Sequence, residues 1–394
     1  MPGNWPAHRY ETRPWRPSGR VPREDRLVTE IEVAIPPDIS RLDYYPERPT
    51  MVLLEEAAVA IASLDAVSSG PMRAISGFLL RSESVSSSKI EHVDARRDDY
   101  ARAVVGLKAS AEARSTVAAT DAIQAMIRNS GSSGKVTLDA MLAAHRILMR
   151  DDPHDSYYAG KVRDVQNWIG GSDYSPRGAA HVPPPADLVP SLLDDVISFS
   201  NRSDMPVVAQ AALAHAQFES IHPFTDGNGR IGRALINAVI RRRGLAEQTV
   251  TPIASAMLAD VSRYFRLVND YRIGDAEPFV VYLAECAVLA VKASKESLAA
   301  LTQLPGQWTE RAKPRKGSAD ETLISHLIET PVLDAQTAAS IAGVAVESIY
   351  RPLNRLTDAG VISPITQSAR DRAWAAHDVL DEVDRLAERL RSAP

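Results

Sequence analysis

Twelve consecutive residues, His222-Pro-Phe-Thr-Asp-Gly-Asn-Gly-Arg-Ile-Gly-Arg233, constrain this 394-residue chain more than any other segment. The run before them, Ala209 to Ile221, is Ala-rich with apolar positions at helical spacing, and Pro223 closes that helix. A second helix beginning near Arg230 makes the stretch a loop that runs into a helix N-terminus. Gly227 and Gly229 lack Cβ, so backbone N–H groups there can approach a phosphate closely and form an anion nest. The helix start adds its positive dipole end to the same spot. His222 has an ordinary pKa near neutrality and suits the task of taking a proton from an attacking hydroxyl. Asp226 is a hard oxygen ligand suited to Mg²⁺, which binds through one or two carboxylates plus substrate phosphates. Arg230 and Arg233, spaced i,i+3, can project from one face and fork onto phosphate oxygens.

Two other readings of the window fail. Gly227-Asn-Gly229-Arg-Ile-Gly232 has the G-x-G-x-x-G spacing of dinucleotide sites, which requires a preceding strand and an acidic residue about 20 positions on. A helical run precedes it, and residues 250–255 hold no carboxylate. A metal site from His215, Glu219 and His222 is also disfavoured, because Pro223 ends the helix that would carry all three. His215 reads as a helix-packing histidine.

The dodecamer resembles the signature of the Fic family, H-P-F-x-[DE]-G-N-G-R-x-x-R, and every fixed position is present. Family members with this motif transfer AMP from ATP to a hydroxyl side chain of a target protein. The resemblance implies that His222 is the general base and that Asp226 holds the Mg²⁺ bridging the phosphates. It implies that Gly227, Asn228 and Gly229 cradle the α-phosphate, that Arg230 steadies the phosphate chain and that Arg233 holds the γ-phosphate. Phe224 would anchor the loop in the core. The related Doc-type kinases lack the Gly229-Arg230 ending, which disfavours kinase chemistry.

Two further segments extend the resemblance. Gly160-Lys-Val-Arg163, Val165 to Gly171 and His181 to Pro185 resemble the family's flap, a hairpin that clamps an extended segment of the target. A strand-like run, Val162 to Ile169, with a Gly-and-Pro exit, fits that hairpin, and its edge could position a target backbone by strand addition. Ser87-Ser-Lys-Ile-Glu91-His92 resembles the inhibitory helix [ST]-x-x-x-E-[GN], with Ser87 and Glu91 on one helix face. In the family this glutamate pairs with the motif's second arginine and occludes the γ-phosphate, so the resemblance implies a Glu91–Arg233 pair. His92 departs from the usual Gly or Asn.

The expected fold is mainly α: a Fic helical core with a β-hairpin flap, an N-terminal helical region and a C-terminal winged-helix domain. Residues 1–50, rich in Pro and Arg, read as an irregular arm. Helices are expected over Met51–Leu64, Pro71–Val93, Asp98–Arg128 and Leu138–Met149, with a loop at Asn129 to Gly134, and from Leu188 to about Leu301. The expected divisions are 1–110 (arm and helical region with the inhibitory helix), 111–304 (Fic core), 305–318 (linker) and 319–394 (winged-helix-like domain). In the last, Ala335–Ile341 and Ser348–Ala359 read as helices, Gly360-Val-Ile as a strand start and Arg370 to Trp374 as a wing's return strand. Arg351, Arg355, Arg370 and Arg372 could meet DNA phosphates. Residues 318–394, however, hold seven Arg, no Lys and twelve carboxylates, which disfavours DNA contact.

Composition sets the outer bounds. Hydrophobic residues make up 45% and charged residues 24% of the chain, as in an ordinary soluble protein. A net charge of −5 gives no global drive toward nucleic acid or anionic membrane. The single cysteine, Cys286, rules out a disulfide framework and fits a reducing cytoplasm. The N-terminus carries Arg9, Arg13, Arg16, Arg20 and Arg23 without an apolar core segment, unlike a secretory signal. No uncharged apolar run is long enough to span a bilayer. The expected reading is AMP transfer from ATP, with Mg²⁺, to a protein substrate, restrained by Glu91. Eleven tyrosines make the chain itself a candidate target, and a homodimer is the favoured assembly. Two alternatives stand beside it: removal of AMP from a modified protein at the same site, and a DNA-binding regulator that uses the core as a scaffold.

Overall fold

The computed structural model describes residues 5–17, 19–68, 74–366 and 372–392. In chain order these residues form β1 (Arg9–Pro14), α1 (Arg23–Arg26), β2 (Glu30–Ile35), α2 (Arg48–Val67), α3 (Ala74–Ile90), α4 (Arg97–Val104), α5 (Ala111–Ser133) and α6 (Leu138–Met149). There follow α7 (Val189–Ser200), α8 (Val207–Ile221), α9 (Asn228–Arg242), α10 (Ile253–Met257), α11 (Val261–Arg272) and α12 (Glu277–Ala312). The last are α13 (Ala319–His326), β3 (Val332–Asp334), α14 (Ala335–Ala342), α15 (Val346–Asp358), β4 (Ser363–Pro364), β5 (Ala373–Ala375) and α16 (His377–Arg391). The fold is mainly α, as expected. No described helix is long and apolar enough to cross a membrane.

The chain divides into two compact units. The first comprises residues 1–58, 122–245 and 261–285. Its centre is α8, buried at every residue from Val208 to Ile221, so this helix is buried all round rather than amphipathic. Gln217 is satisfied inside, donating to Pro37 O at 2.7 Å and accepting from the Tyr271 hydroxyl at 2.7 Å. His215 packs as expected of a core histidine, with Nε2 2.9 Å from the Tyr264 hydroxyl and the ring stacked on Tyr264 and Phe279. Helix α9 lies tight on α8 because Gly232 has no Cβ; one would stand 2.3 Å from Glu219 Oε1. Residues 1–50 are not the irregular arm expected, because β1 and β2 form an antiparallel hairpin in register from Arg9↔Ile35 to Pro14↔Glu30. Ile31, Val33 and Ile35 alternate inward, a period-2 signal that Pro and Arg content masks.

The second unit comprises residues 59–121, 246–260 and 286–394. Within it α3 is fastened to α10: Glu83 accepts from Ala254 N at 2.8 Å, Ser86 meets Ser255 at 2.9 Å, and Ser255 donates to Ser82 O at 3.1 Å. The helix expected over Asp98–Arg128 is two, α4 and α5. Gly106 turns left-handed between them, and Ser110 caps α5 through Ala113 N. The Ser-Gly run expected to be a loop continues α5, because Ser132 and Ser133 return their hydroxyls to Asn129 O. The expected linker also shortens, since α12 runs through Pro305 to Ala312. Leu301 and Trp308 are both fully buried, and Trp308 Nε1 donates to Asp378 at 2.8 Å, packing that offsets the roughly 3 kcal/mol a mid-helix proline costs. At the C-terminal end, β3, β5 and β4 form an antiparallel sheet in that order. Of the expected wing strand, Arg370 and Asp371 lie outside the described residues, and β5 spans Ala373–Ala375.

Candidate functional site

The site is built at the end of α8. His222 caps that helix in the left-handed region, φ 47° and ψ 62°, an uncommon state for a residue with a side chain. Arg163 holds it there. Its guanidinium donates to His222 O at 2.9 Å, Pro184 O at 2.6 Å and Val165 O at 2.9 Å, while its backbone N–H reaches Pro223 O at 2.9 Å. A fork of donors thus satisfies carbonyls that a helix end and a proline run leave without N–H partners. Burial pulls the Arg163 pKa down to about 10. Sequence reasoning placed Arg163 in the flap and missed this clamp.

The His222 ring is set by two amides. Asn167 Nδ2 lies 2.9 Å and Asn228 Nδ2 3.2 Å from Nδ1. Asn228 cannot turn, because Phe224 N donates to its Oδ1 and Phe224 O accepts from its Nδ2, both at 2.8 Å. Amide nitrogens only donate, so Nδ1 carries the lone pair and the neutral ring keeps its proton on Nε2. Nε2 engages no described residue, and His222 is half-buried. Burial first, then the Arg163 and Arg272 cations, push its pKa down to about 3, so the ring is neutral at physiological pH.

The loop then turns into α9 through Gly227, whose φ of 77° suits glycine; no side chain caps the helix, which leaves its first turn open to an anion. Asp226 accepts from Gly227 N at 2.6 Å with one oxygen and from Arg230 at 3.3 Å with the other. Under the loop sits His145, fully buried on α6. It stacks on Phe224 with ring centroids 3.8 Å apart, contacts Asp226 O through Nε2 at 3.0 Å and accepts from Gly160 N at Nδ1. Burial lowers its pKa to about 4. His145 pins both the motif loop and the start of the flap, a role with no sequence signal beyond a histidine on an apolar helix face. Phe224 is fully buried, the loop anchor that was expected.

His222, Asp226, Gly227, Asn228, Gly229, Arg230 and Arg233 therefore share one helix–loop–helix, with Arg230 and Arg233 buried on α9. Ser87 and Glu91 belong to the second unit. Ser87 is fully buried on α3, and Glu91 follows the last residue of that helix. The helix end closes with Val93 N to Ser88 O and His92 N to Lys89 O, both 3.0 Å, with His92 left-handed at φ 61°. That is a Schellman closure, whose left-handed position favours Gly or Asn. The residue type at which this sequence departs from the inhibitory pattern thus occupies the one backbone state that explains the usual preference.

The expected strand over Val162–Ile169 reduces to a single antiparallel bridge, Ile169↔His181. Pro183, Pro184 and Pro185 have no N–H to continue a ladder, and Arg163 takes the carbonyls of Val165 and Pro184. The exit strand instead leans on β2, where Ala34 N donates to Val182 O at 2.8 Å.

The donor set suits Mg²⁺. The Asp226 side chain is 52% exposed, and an octahedral Mg²⁺ commonly takes one or two carboxylates, with waters and phosphates completing the shell. Asp155 lies near enough for Asp226 to help burial raise its pKa.

Residues 135–240, from just before α6 to near the end of α9, match the model of the Fic/DOC family. The chain carries a Fic domain. Its relatives include the protein adenylyltransferase fic-1 of Caenorhabditis briggsae, 29% identical over 50% of this chain and 35% of that protein. Another is the protein adenylyltransferase Fic of Nematostella vectensis, 32% identical over 41% of this chain and 34% of that protein. The chain spans about a third of the length of these curated relatives. Among solved structures, a Fic family protein from Desulfovibrio desulfuricans superposes with a TM-score of 0.54 at 20% identity, covering 84% of this chain and 97% of the other. The likeness in fold thus reaches well beyond the Fic domain itself.

Proposed function

We propose that this protein transfers AMP from ATP to a hydroxyl side chain of a protein, with His222 as the general base and Glu91 as the restraint. The observation that carries the reading is a histidine held neutral, its ring fixed by Asn167 and Asn228, at the mouth of an uncapped helix that also bears Arg230 and Arg233. The relatives named as protein adenylyltransferases support the same chemistry. The hydroxyl oxygen forms its bond to the α-phosphorus as the bond to the bridging oxygen of the β-phosphate breaks. Pyrophosphate leaves, and the hydroxyl proton passes to His222. Gly227, Asn228 and Gly229 receive the α-phosphate at the start of α9, Arg230 steadies the chain, and Arg233 holds the γ-phosphate. Asp226 would hold the Mg²⁺, which when bound neutralises charge on the phosphates. For Nε2 to accept the proton, the ring proton must rest on Nδ1, which requires an acceptor there. Asn167 Oδ1 is buried without a partner, and turning that amide would supply one.

We read residues 111–304 as the catalytic core and 319–394 as a winged helix, supported by its helix–strand–helix–helix–strand–strand order. Arg355 on α15 is already forked onto Asp320 at 2.9 and 2.6 Å, so the DNA-regulator reading gains no support. Incubation with α-labelled ATP tests the proposal. Label should enter protein in the wild type and fall by about 10² to 10⁴ in His222→Ala. Label loss from a pre-modified protein, without label gain, would replace transfer by AMP removal.

A further inference from the structure

Within the second unit, a cavity of about 250 Å³ opens between α3, α4, α5 and α16. Arg81, Lys89 and Arg97 line it, with Val85, Val93 and Val383 among its apolar walls. The charges are not equally matched. Arg97 pairs with Asp381 and Asp384, and Lys89 with Asp94 at 3.4 Å. Arg81 has no carboxylate partner among the described residues: one nitrogen donates to Ile328 O at 3.4 Å, and Nε is buried with no acceptor at all. The Arg81 side chain is half-buried, with its Nε fully enclosed, so a guanidinium that faces the cavity without a counter-ion leaves a place for an anion. Burial accordingly lowers the Arg81 pKa.

We propose that this cavity is a binding site for a small organic monocarboxylate, its carboxylate on Arg81 and its apolar body against Val85, Val93 and Val383. A single unmatched positive charge selects a monoanion over a phosphate dianion. The volume lies below the roughly 300–1,000 Å³ of pockets for drug-sized ligands, which selects a small body. No residue of the motif loop lines it.

The test is calorimetric titration of the full chain with benzoate, with benzyl alcohol as the uncharged isostere and inorganic phosphate as the anion without an apolar body. Benzoate should bind the wild type at least about tenfold more tightly than either. Arg81→Gln should weaken benzoate by about tenfold or more, as the loss of a charge-assisted pair requires. Val383→Phe, which fills the cavity and leaves every charge in place, should weaken it comparably and guards against a folding defect in the arginine variant. Equal binding of benzoate and benzyl alcohol, undiminished binding in both variants, or no benzoate heat in the wild type would overturn the assignment. Phosphate binding as tightly as benzoate would overturn the apolar half of it.

Discussion

The side-chain amide of Asn167 lies 2.9 Å from Nδ1 of His222 and also donates to Phe224 O at 2.8 Å, while its own Oδ1 is buried without a partner. Together with the locked Asn228 amide it fixes the ring in the tautomer that keeps its proton on Nε2, and turning the Asn167 amide would replace one of the two donors at Nδ1 by an acceptor. Asn167→Asp places a permanent acceptor beside Nδ1. A carboxylate there favours the imidazolium and raises the His222 pKa from about 3. Transfer should persist in Asn167→Asp with its acid limb moved to higher pH, whereas the wild type should show no limb near 6.5. Asn167→Leu, which removes both donor and acceptor, should cost about 10² in rate through misplacement of the ring. Rate–pH profiles of the three proteins decide this; superimposable profiles would remove Asn167 from the mechanism.

Stability should fall on mild acidification. His145 and His215 are fully buried and neutral, with pKa values lowered to about 4 and about 3. The unfolded chain binds protons on both from pH 6.5 downward, while the folded chain does not until much lower pH. Each therefore withdraws about 2 kcal/mol between pH 7 and pH 5. Urea midpoints should drop over that interval, and less steeply in His215→Gln, which keeps a polar group toward Tyr264. A flat profile would show that these rings protonate within the fold.

Legibility followed the length scale of the interactions. The α8–loop–α9 arrangement could be read from twelve residues because it is local: a histidine at a helix end, a left-handed Gly227, a carboxylate and two arginines one turn apart. Arg163 and His145 were not legible, since their partners lie 59 and 81 positions away and neither residue type signals a carbonyl clamp or a ring stack. The β1–β2 hairpin was hidden because β1 buries no residue and so shows no alternation. Helix α12 overran the expected linker for the opposite reason: burial of Leu301 and Trp308 overrides the breaker between them. His92 was the exception, where a departure in sequence marked a real backbone feature.

Asp226 offers a test of the metal. Its side chain is about half exposed but accepts from Gly227 N and from the buried Arg230, so Asp226→Ala should cost on the order of 1–3 kcal/mol of stability, a loss to be measured beside binding. The same change should abolish the Mg²⁺-dependent part of ATP affinity. Calorimetric ATP titrations with and without Mg²⁺ measure that part directly. An Asp226→Ala protein with unchanged, metal-enhanced affinity would assign the metal elsewhere.

Restraint by Glu91 is tested from both sides of the α3 terminus. If Glu91 pairs with Arg233, the γ-phosphate must compete with a carboxylate for one guanidinium. Shifting a site from about 1% to about 99% competent needs roughly 5.5 kcal/mol of differential binding. Breaking one buried pair costs about 3–5 kcal/mol, so a single glutamate is of the right order to act as the switch. ATP supplies a replacement anion, which keeps the freed Arg233 compensated in the active variant. Glu91→Gly should therefore raise labelling, including self-labelling, by a large factor. His92→Gly should act oppositely. The left-handed φ of 61° costs a side chain about 1 kcal/mol that glycine does not incur, so this variant should tighten the Schellman closure and hold Glu91 more firmly. Its labelling should fall below wild type while its thermal midpoint rises. Equal labelling in all three proteins would exclude Glu91 as the restraint, and loss of a hydrolytic activity in Glu91→Gly would assign the glutamate to AMP removal instead.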